Sequence, residues 1–200
     1  MPQPPLTWED ITRAAADLGI EPCTMQAVCT VESAGNGFLP SGRAKILFEG
    51  HIFWRELKKR GVPPEDYAEA HPTVLYPKWT KAHYLGGEKE HDRLNEAKNI
   101  QEEAALASAS WGAFQIMGFN HAACGYATVR EFVHAQEQDP ITQLEAFCGF
   151  IRTNNLVRHL KNHDWAAFAK GYNGPGYGQN RYDEKLAGEY AKCLERSAHG

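Results

Sequence analysis

Between Pro22 and Gly35 the chain encodes one helix whose apolar stripe ends on an acid. Met25, Val28, Cys29 and Glu32 fall at i, i+3, i+4 and i+7, one face of a helix turned towards a core. Pro22 suits the first helical position and Gly35 the position just past the end, so a helix is predicted from Pro22 to about Ser33. Glu32 then lies in the last turn and points inward. Burial disfavours its charged form, and the negative end of the helix dipole acts in the same direction, so its pKa should be raised. A carboxylic acid still protonated near neutrality is what a general acid requires. From this helix alone, a glutamate that turns aside and stays solvated is the commoner outcome.

Length and charge exclude several classes. The 200 residues suffice for one well-buried domain, and no linker divides them. A hydrophobic fraction of 42% and a charged fraction of 23% are those of a globular protein, and a net charge of −4 gives no nucleic-acid footprint. No apolar run is long enough to span a bilayer, and Met1-Pro2-Gln3-Pro4-Pro5 lacks the basic and apolar regions of a signal peptide. The chain is therefore expected to be made in the cytosol, without membrane insertion. The five cysteines, Cys23, Cys29, Cys124, Cys148 and Cys193, are odd in number and unclustered, which favours buried free thiols.

Taken in order, Thr7-Trp8-Glu9-Asp10 starts a capped helix that Gly19 ends. After the Glu32 helix, turn signals flank Lys45 to Glu49, read as a small β-hairpin that carries a second candidate carboxylate, Glu49. A helix follows from His51 to about Gly61. Glu65 to Gly87 is irregular, with Tyr67, Tyr76, Trp79 and Tyr84 spread through it; such a long loop often lines a binding site, and pinning the loop to the core is an equal alternative for each aromatic. Glu88 to Ser108 reads as one long helix whose alanine-rich end, Ala104 to Ala107, implies close packing on a neighbour. Ser110 to Gly118 forms an apolar wall holding one amide, Gln115, able to donate and accept hydrogen bonds at once. Asp139-Pro140 and Asp164 start two more helices, Tyr172-Asn173-Gly174-Pro175-Gly176-Tyr177 is a rigid turn, and a last helix with Tyr182, Leu186, Tyr190, Cys193 and Leu194 closes the domain. About eight helices and one β element make a mostly-α fold of α+β type.

Three short motifs in order, the helix-terminal Glu32-Ser33, then Gly112-Ala113-Phe114-Gln115-Ile116-Met117, then Tyr172-Asn173-Gly174, resemble the set found in goose-type lysozymes and lytic transglycosylases. The wider text is similar to the N-acetylmuramidase domain family of phage endolysins and prophage lysozymes: Val31 to Phe38, Ile46-Leu47-Phe48-Glu49-Gly50-His51, Ser110-Trp111-Gly112 and Tyr172 to Tyr177. That resemblance spans about Thr7 to Tyr190 and implies a lysozyme-like fold over residues 1–200 as a single catalytic domain, with no room for a separate wall-binding module.

The resemblance further implies cleavage of the β-1,4 bond between N-acetylmuramic acid and N-acetylglucosamine in peptidoglycan, with no metal or cofactor. By it Glu32 is the acid that protonates the leaving oxygen, and Gln115, Tyr172 and Asn173 line the cleft, with His51, Ser110 and Met117 in the same matched segments. Glu49 is the candidate partner, either as a base about 6.5–9.5 Å from the acid or as a nucleophile about 5–5.5 Å away. Alternatively Glu49 pairs with His51, Arg43 or a backbone amide and only shapes the cleft, and the substrate's 6-hydroxyl attacks as in lytic transglycosylases. The expected partner is the glycan strand, met by a monomer that acts on the wall in the periplasm after holin-assisted release.

Rival classes are a cysteine peptidase using Cys23 near a helix start, a zinc amidase, and a non-catalytic glycan-binding module. The first lacks a histidine in partner context and the second lacks His-Glu-x-x-His. The third has no use for an inward acid. Lys78, Lys81, Arg152, Arg158 and Lys161 are local cations able to meet an anionic wall polymer.

Overall fold

The computed structural model describes residues 3–33, 37–174 and 177–198. The expected helix stop at Gly35 and the Pro175-Gly176 portion of the rigid turn lie outside the described residues. Eleven α-helices and a three-stranded sheet are present among those described: α1 (Trp8–Leu18), α2 (Pro22–Glu32), β1 (Ile46–Phe48), α3 (Gly50–Lys59), α4 (Glu65–Ala68), α5 (Glu88–Ile100) and α6 (Glu102–Ala107) come first. They are followed by β2 (Ala109–Trp111), β3 (Ile116–Met117), α7 (Val129–Gln136), α8 (Pro140–Thr153), α9 (Val157–Lys161), α10 (Trp165–Asn173) and α11 (Tyr182–Ala198).

Local chemistry sets most of the helix ends. Thr7 and Asp10 form a reciprocal capping box on α1, and Gly19 closes it at φ 64°, a left-handed conformation that favours glycine. Asp139 caps α8 by accepting from Thr142 N, with Pro140 at the first helical position, and Asp164 caps α10 through Ala167 N. The inward faces of α2 and α8 are the expected ones: Met25, Val28 and Cys29, then Leu144, Phe147, Cys148 and Ile151, are all buried. On α11, Leu186 and Cys193 are buried while Leu194 is exposed.

Three expectations change. The long helix after Glu88 breaks at Gln101, whose backbone is extended and whose side chain caps α6 at Ala104 N. The close packing foreseen for α6 is there: a Cβ on Gly118 would meet Leu106 O at 2.2 Å, so only glycine lets the two backbones approach. Second, β1 does not form its own hairpin. Its partner is β2, from a point more than sixty residues later, and the tight hairpin is β2–β3. Third, Cys23 and Cys193 form a disulfide between α2 and α11, leaving Cys29, Cys124 and Cys148 as buried free thiols. Cysteine count gave no sign of this pair because its members are 170 residues apart.

The sheet register sorts its residues onto two faces. Ile46, Trp111 and Ile116 are cross-strand neighbours and face the core, as do Phe48 and Ala109. Leu47, Ser110 and Met117 are the other cross-strand set and face away from it. Glu49, the next alternate position after Leu47, continues onto that second face. α2 packs between α1 and α11, so the helix carrying Glu32 is supported on both flanks.

Candidate active site

Glu32 ends α2 at the edge of a cleft of about 330 Å³ that also takes Tyr172 and Asn173 from α10 and Phe114, Gln115 and Met117 from the β2–β3 hairpin. Asn173 Nδ2 donates to Glu32 Oε1 at 3.0 Å. Burial pushes the Glu32 carboxyl up to about 7; the Asn173 hydrogen bond and the more distant Lys185 ammonium oppose this and do not cancel it. The acid therefore holds its proton much closer to neutral pH than an ordinary carboxyl does. Phe114, Ile116, Phe150 and Tyr182 supply the apolar surroundings that desolvate it.

Tyr172 works as a strut. Its hydroxyl donates to Phe114 O at 2.9 Å, tying α10 to the hairpin, and its ring meets Phe147 and Phe150 edge-on and stacks on Phe168. Burial holds its phenol well above the ordinary value, so it stays a neutral donor. The neighbouring residue in the helix, Asn173, is thereby fixed opposite Glu32. Gln115 is held at φ 49°, a backbone conformation uncommon outside glycine and one often found at functional sites. Its amide is committed to the protein: Oε1 accepts from Ser110 Oγ at 2.9 Å and Nε2 donates to Gly112 O at 2.8 Å. Gln115 thus braces the hairpin that forms one cleft wall, with Ser110 behind it.

Behind Glu32 the chain is pinned by a buried amide. Gln143 Oε1 accepts from Ala113 N at 2.8 Å and Nε2 donates to Gln136 O at 2.8 Å, and Gly37 packs so close that a Cβ there would meet Gln143 Oε1 at 1.9 Å. The return from α2 and the hairpin therefore share one anchor.

Glu49 has a different setting. It precedes the first turn of α3, where helix dipoles favour negative charge, and its backbone N–H donates to Ser108 O. Glu49 Oε2 accepts from the Tyr84 hydroxyl at 2.7 Å and lies 3.3 Å from His51 Nδ1, without the alignment of a hydrogen bond. Burial lowers the His51 pKa; the Glu49 charge opposes this and Arg55 adds to it. Arg43, the other suggested partner, pairs instead with Glu88. The irregular stretch before α5 is what delivers Tyr84. Within it Tyr76 is buried and accepts from Gly50 N at 3.3 Å, while Trp79 is exposed.

Beneath Glu49, a buried ion pair fixes the strand. Glu90 and Arg93 on α5 meet at 2.8 Å, Glu90 Oε2 accepts from Phe48 N, and Arg93 donates to Phe48 O. Glu90 Oε1 also accepts from Leu85 N and Gly86 N, so one carboxylate holds both β1 and the end of the irregular stretch. These donors keep its pKa below the ordinary value despite burial.

A family model described as N-acetylmuramidase matches residues 21–194. The chain belongs to the N-acetylmuramidase family. Among solved structures it is similar to the crystal structure of Burkholderia AP3 phage endolysin, at 40% identity and a TM-score of 0.88, covering 94% of this chain and 71% of that one. No curated protein matches the chain. The muramidase is a lysozyme-type glycosidase, and its lysozyme-like fold is the expected mostly-α one.

In this muramidase the cleft brings together Glu32, Gln115, Met117, Tyr172 and Asn173, while Ser110 supports Gln115, and Glu49 and His51 form a separate group with Tyr84. Among the described residues lining the cleft, Glu32 is the one carboxylate. Asn120, Phe150 and Tyr182 also line it; of these the sequence pattern singled out only Tyr182, as part of the last helix and not of the site. Tyr84 had a signal in the aromatic run; Lys185 and Asn120 had none, because their proximity arises only when distant helices pack. The peptidase alternative fails on Cys23, which is bonded to Cys193 and offers no thiolate. Among the described residues no group of three or more His, Cys, Asp or Glu is placed to hold a metal ion.

Proposed function

We propose that this muramidase is an endolysin that cleaves the β-1,4 bond between N-acetylmuramic acid and N-acetylglucosamine, with Glu32 as the general acid. The observation that carries the proposal is a carboxylic acid with a pKa of about 7 in an apolar-walled cleft. Because Asn173 donates to Oε1, the proton is carried on Oε2, the oxygen left to face a glycosidic oxygen. Departure of the sugar then leaves an oxocarbenium-like centre, and the newly formed Glu32 anion is stabilised by the Asn173 amide. Met117 and the Gln115-braced hairpin offer a wall for the sugar rings.

Glu49 is proposed as the second carboxylate because strand alternation puts it on the outward face of β1, with Leu47, Ser110 and Met117. Tyr84 and His51 would orient it to activate a water. One observation favours a second reading: Glu49 is already engaged by Tyr84 and does not line the Glu32 cleft. A lytic transglycosylase, in which the substrate's own 6-hydroxyl attacks, needs no second carboxylate. Mass spectrometry of fragments released from purified peptidoglycan separates the two. Reducing muramic-acid ends that vanish in Glu32→Gln are the expected result; anhydro ends would move the enzyme to the transglycosylases and remove Glu49's role, and stem-peptide cleavage would overturn both.

A catalytic domain acting as a monomer on the wall after holin-assisted release completes the proposal. Its endolysin part is checked by expression in Gram-negative cells, with lysis expected only when the inner membrane is permeabilised with chloroform.

A further inference from the structure

A second depression, of about 530 Å³, runs between α2 and α11 and meets the Glu32 cleft at Val31, which lines both. Thr30 and Val31 form one side; Arg181 and α11 from Glu184 to Lys192 form the other. The charges of that second side are unevenly matched. Arg181 is paired with Glu184, and Lys192 with Glu189 at 2.7 Å. Lys185 has no carboxylate partner within ion-pairing distance among the described residues. Its ammonium lies 5.5 Å from the centroid of the Tyr182 ring, and Tyr182 itself lines the Glu32 cleft. The depression therefore carries, at its junction with the cleft, an ammonium with no ion-pair partner among the described residues.

Gly188 is the second observation. It sits in the middle of the 17-residue α11, where glycine costs about 0.5–1 kcal/mol relative to alanine. A Cβ there would meet nothing within 4 Å, so packing within the protein gives no reason for it. What glycine does provide is an open floor in the depression.

The substrate of the proposed function has a branch that must go somewhere. The muramic-acid ring at the scissile bond bears a lactyl group extended by a short peptide with free carboxylates. That branch leaves the sugar within one ring of the bond Glu32 would protonate. We propose that the α2–α11 groove receives this peptide branch, with Lys185 pairing with one of its carboxylates and Gly188 making room for its backbone. The inference rests on the muramidase reading above and adds specificity for peptide-bearing strands.

The test compares kcat/KM on peptide-bearing glycan strands with that on strands stripped of peptide by an amidase. It is run at pH 5, where Glu32 is protonated, on the wild type, Lys185→Gln and Gly188→Leu. Leucine is a good helix former, so the second variant blocks the groove without opposing the helix. The wild type is expected to prefer peptide-bearing strands, and each variant to lose about tenfold of that preference, the size of one charge-assisted hydrogen bond, with the change in KM. An unchanged preference in both variants would overturn the groove while leaving the muramidase reading in place. Failure of the wild type to cut either glycan would overturn the muramidase reading, and the groove with it.

Discussion

Glu32 and Glu49 are the same residue type at opposite ends of two helices, and their surroundings differ in nearly every respect. Glu32 lies in the last turn of α2, where the dipole opposes negative charge, with one amide donor and apolar walls. Glu49 lies ahead of the first turn of α3, with a phenol donating to it and an imidazole beside it. The first environment favours holding a proton, and in the second a phenol hydroxyl is already directed at the carboxylate. Under the proposed function these two carboxylates would serve as separate acid and base.

Their supports differ as well. The helix of Glu32 is stapled at its start to α11 by Cys23–Cys193, a covalent link closing most of the chain into one loop. The strand leading to Glu49 is held by the buried Glu90–Arg93 pair through the N–H and C=O of Phe48, with no covalent link. Loss of the first releases a constraint on the unfolded state; loss of the second strands a charge in the core.

The sharpest break in the comparison is Glu32→Gln, expected to lower kcat about 10²–10⁴-fold in release of reducing ends, the contribution of a general acid. Loss of activity below tenfold would remove Glu32 from that role. Arg93→Met leaves Glu90 buried without its cation and is expected to cost about 3–5 kcal/mol in urea unfolding. Cys193→Ser, or reduction of the wild type, is expected to cost about 2–5 kcal/mol by the same measurement, with Arg93→Met unaffected by reductant in its additional loss.

Glu49→Gln comes next, with an expected fall of about 10–100-fold in kcat if Glu49 activates a water, and no change if the substrate's hydroxyl attacks. The smallest effect is on pH dependence. The folded pKa of Glu32, about 7, is raised above the unfolded value of 4.5, so its stabilising contribution is complete below pH 4.5 and lost as pH rises through 7. Activity is expected to fall with the same alkaline limb near pH 7. Glu32→Gln should accordingly be more stable than the wild type at pH 8, by about 1–3 kcal/mol, and equal to it near pH 4, as followed by Tm.

What the sequence by itself determined was what is written within a few residues. Helix starts at Thr7, Asp139 and Asp164 depend on a side chain reaching a backbone N–H three residues on, and all three stand as expected. The stripe from Met25 to Glu32 placed the acid because helical periodicity fixes which side chains share a face. The ordered motifs then pointed to the family, which the match over residues 21–194 bears out. Only the tertiary structure decided the rest. The pairing of β1 with β2, the Cys23–Cys193 bond, the Tyr84 hydroxyl on Glu49 and the approach of Lys185 to the cleft each join residues far apart in the chain. Such contacts form because helices and strands bury their apolar faces together, and no local pattern records which distant polar groups that burial brings within reach.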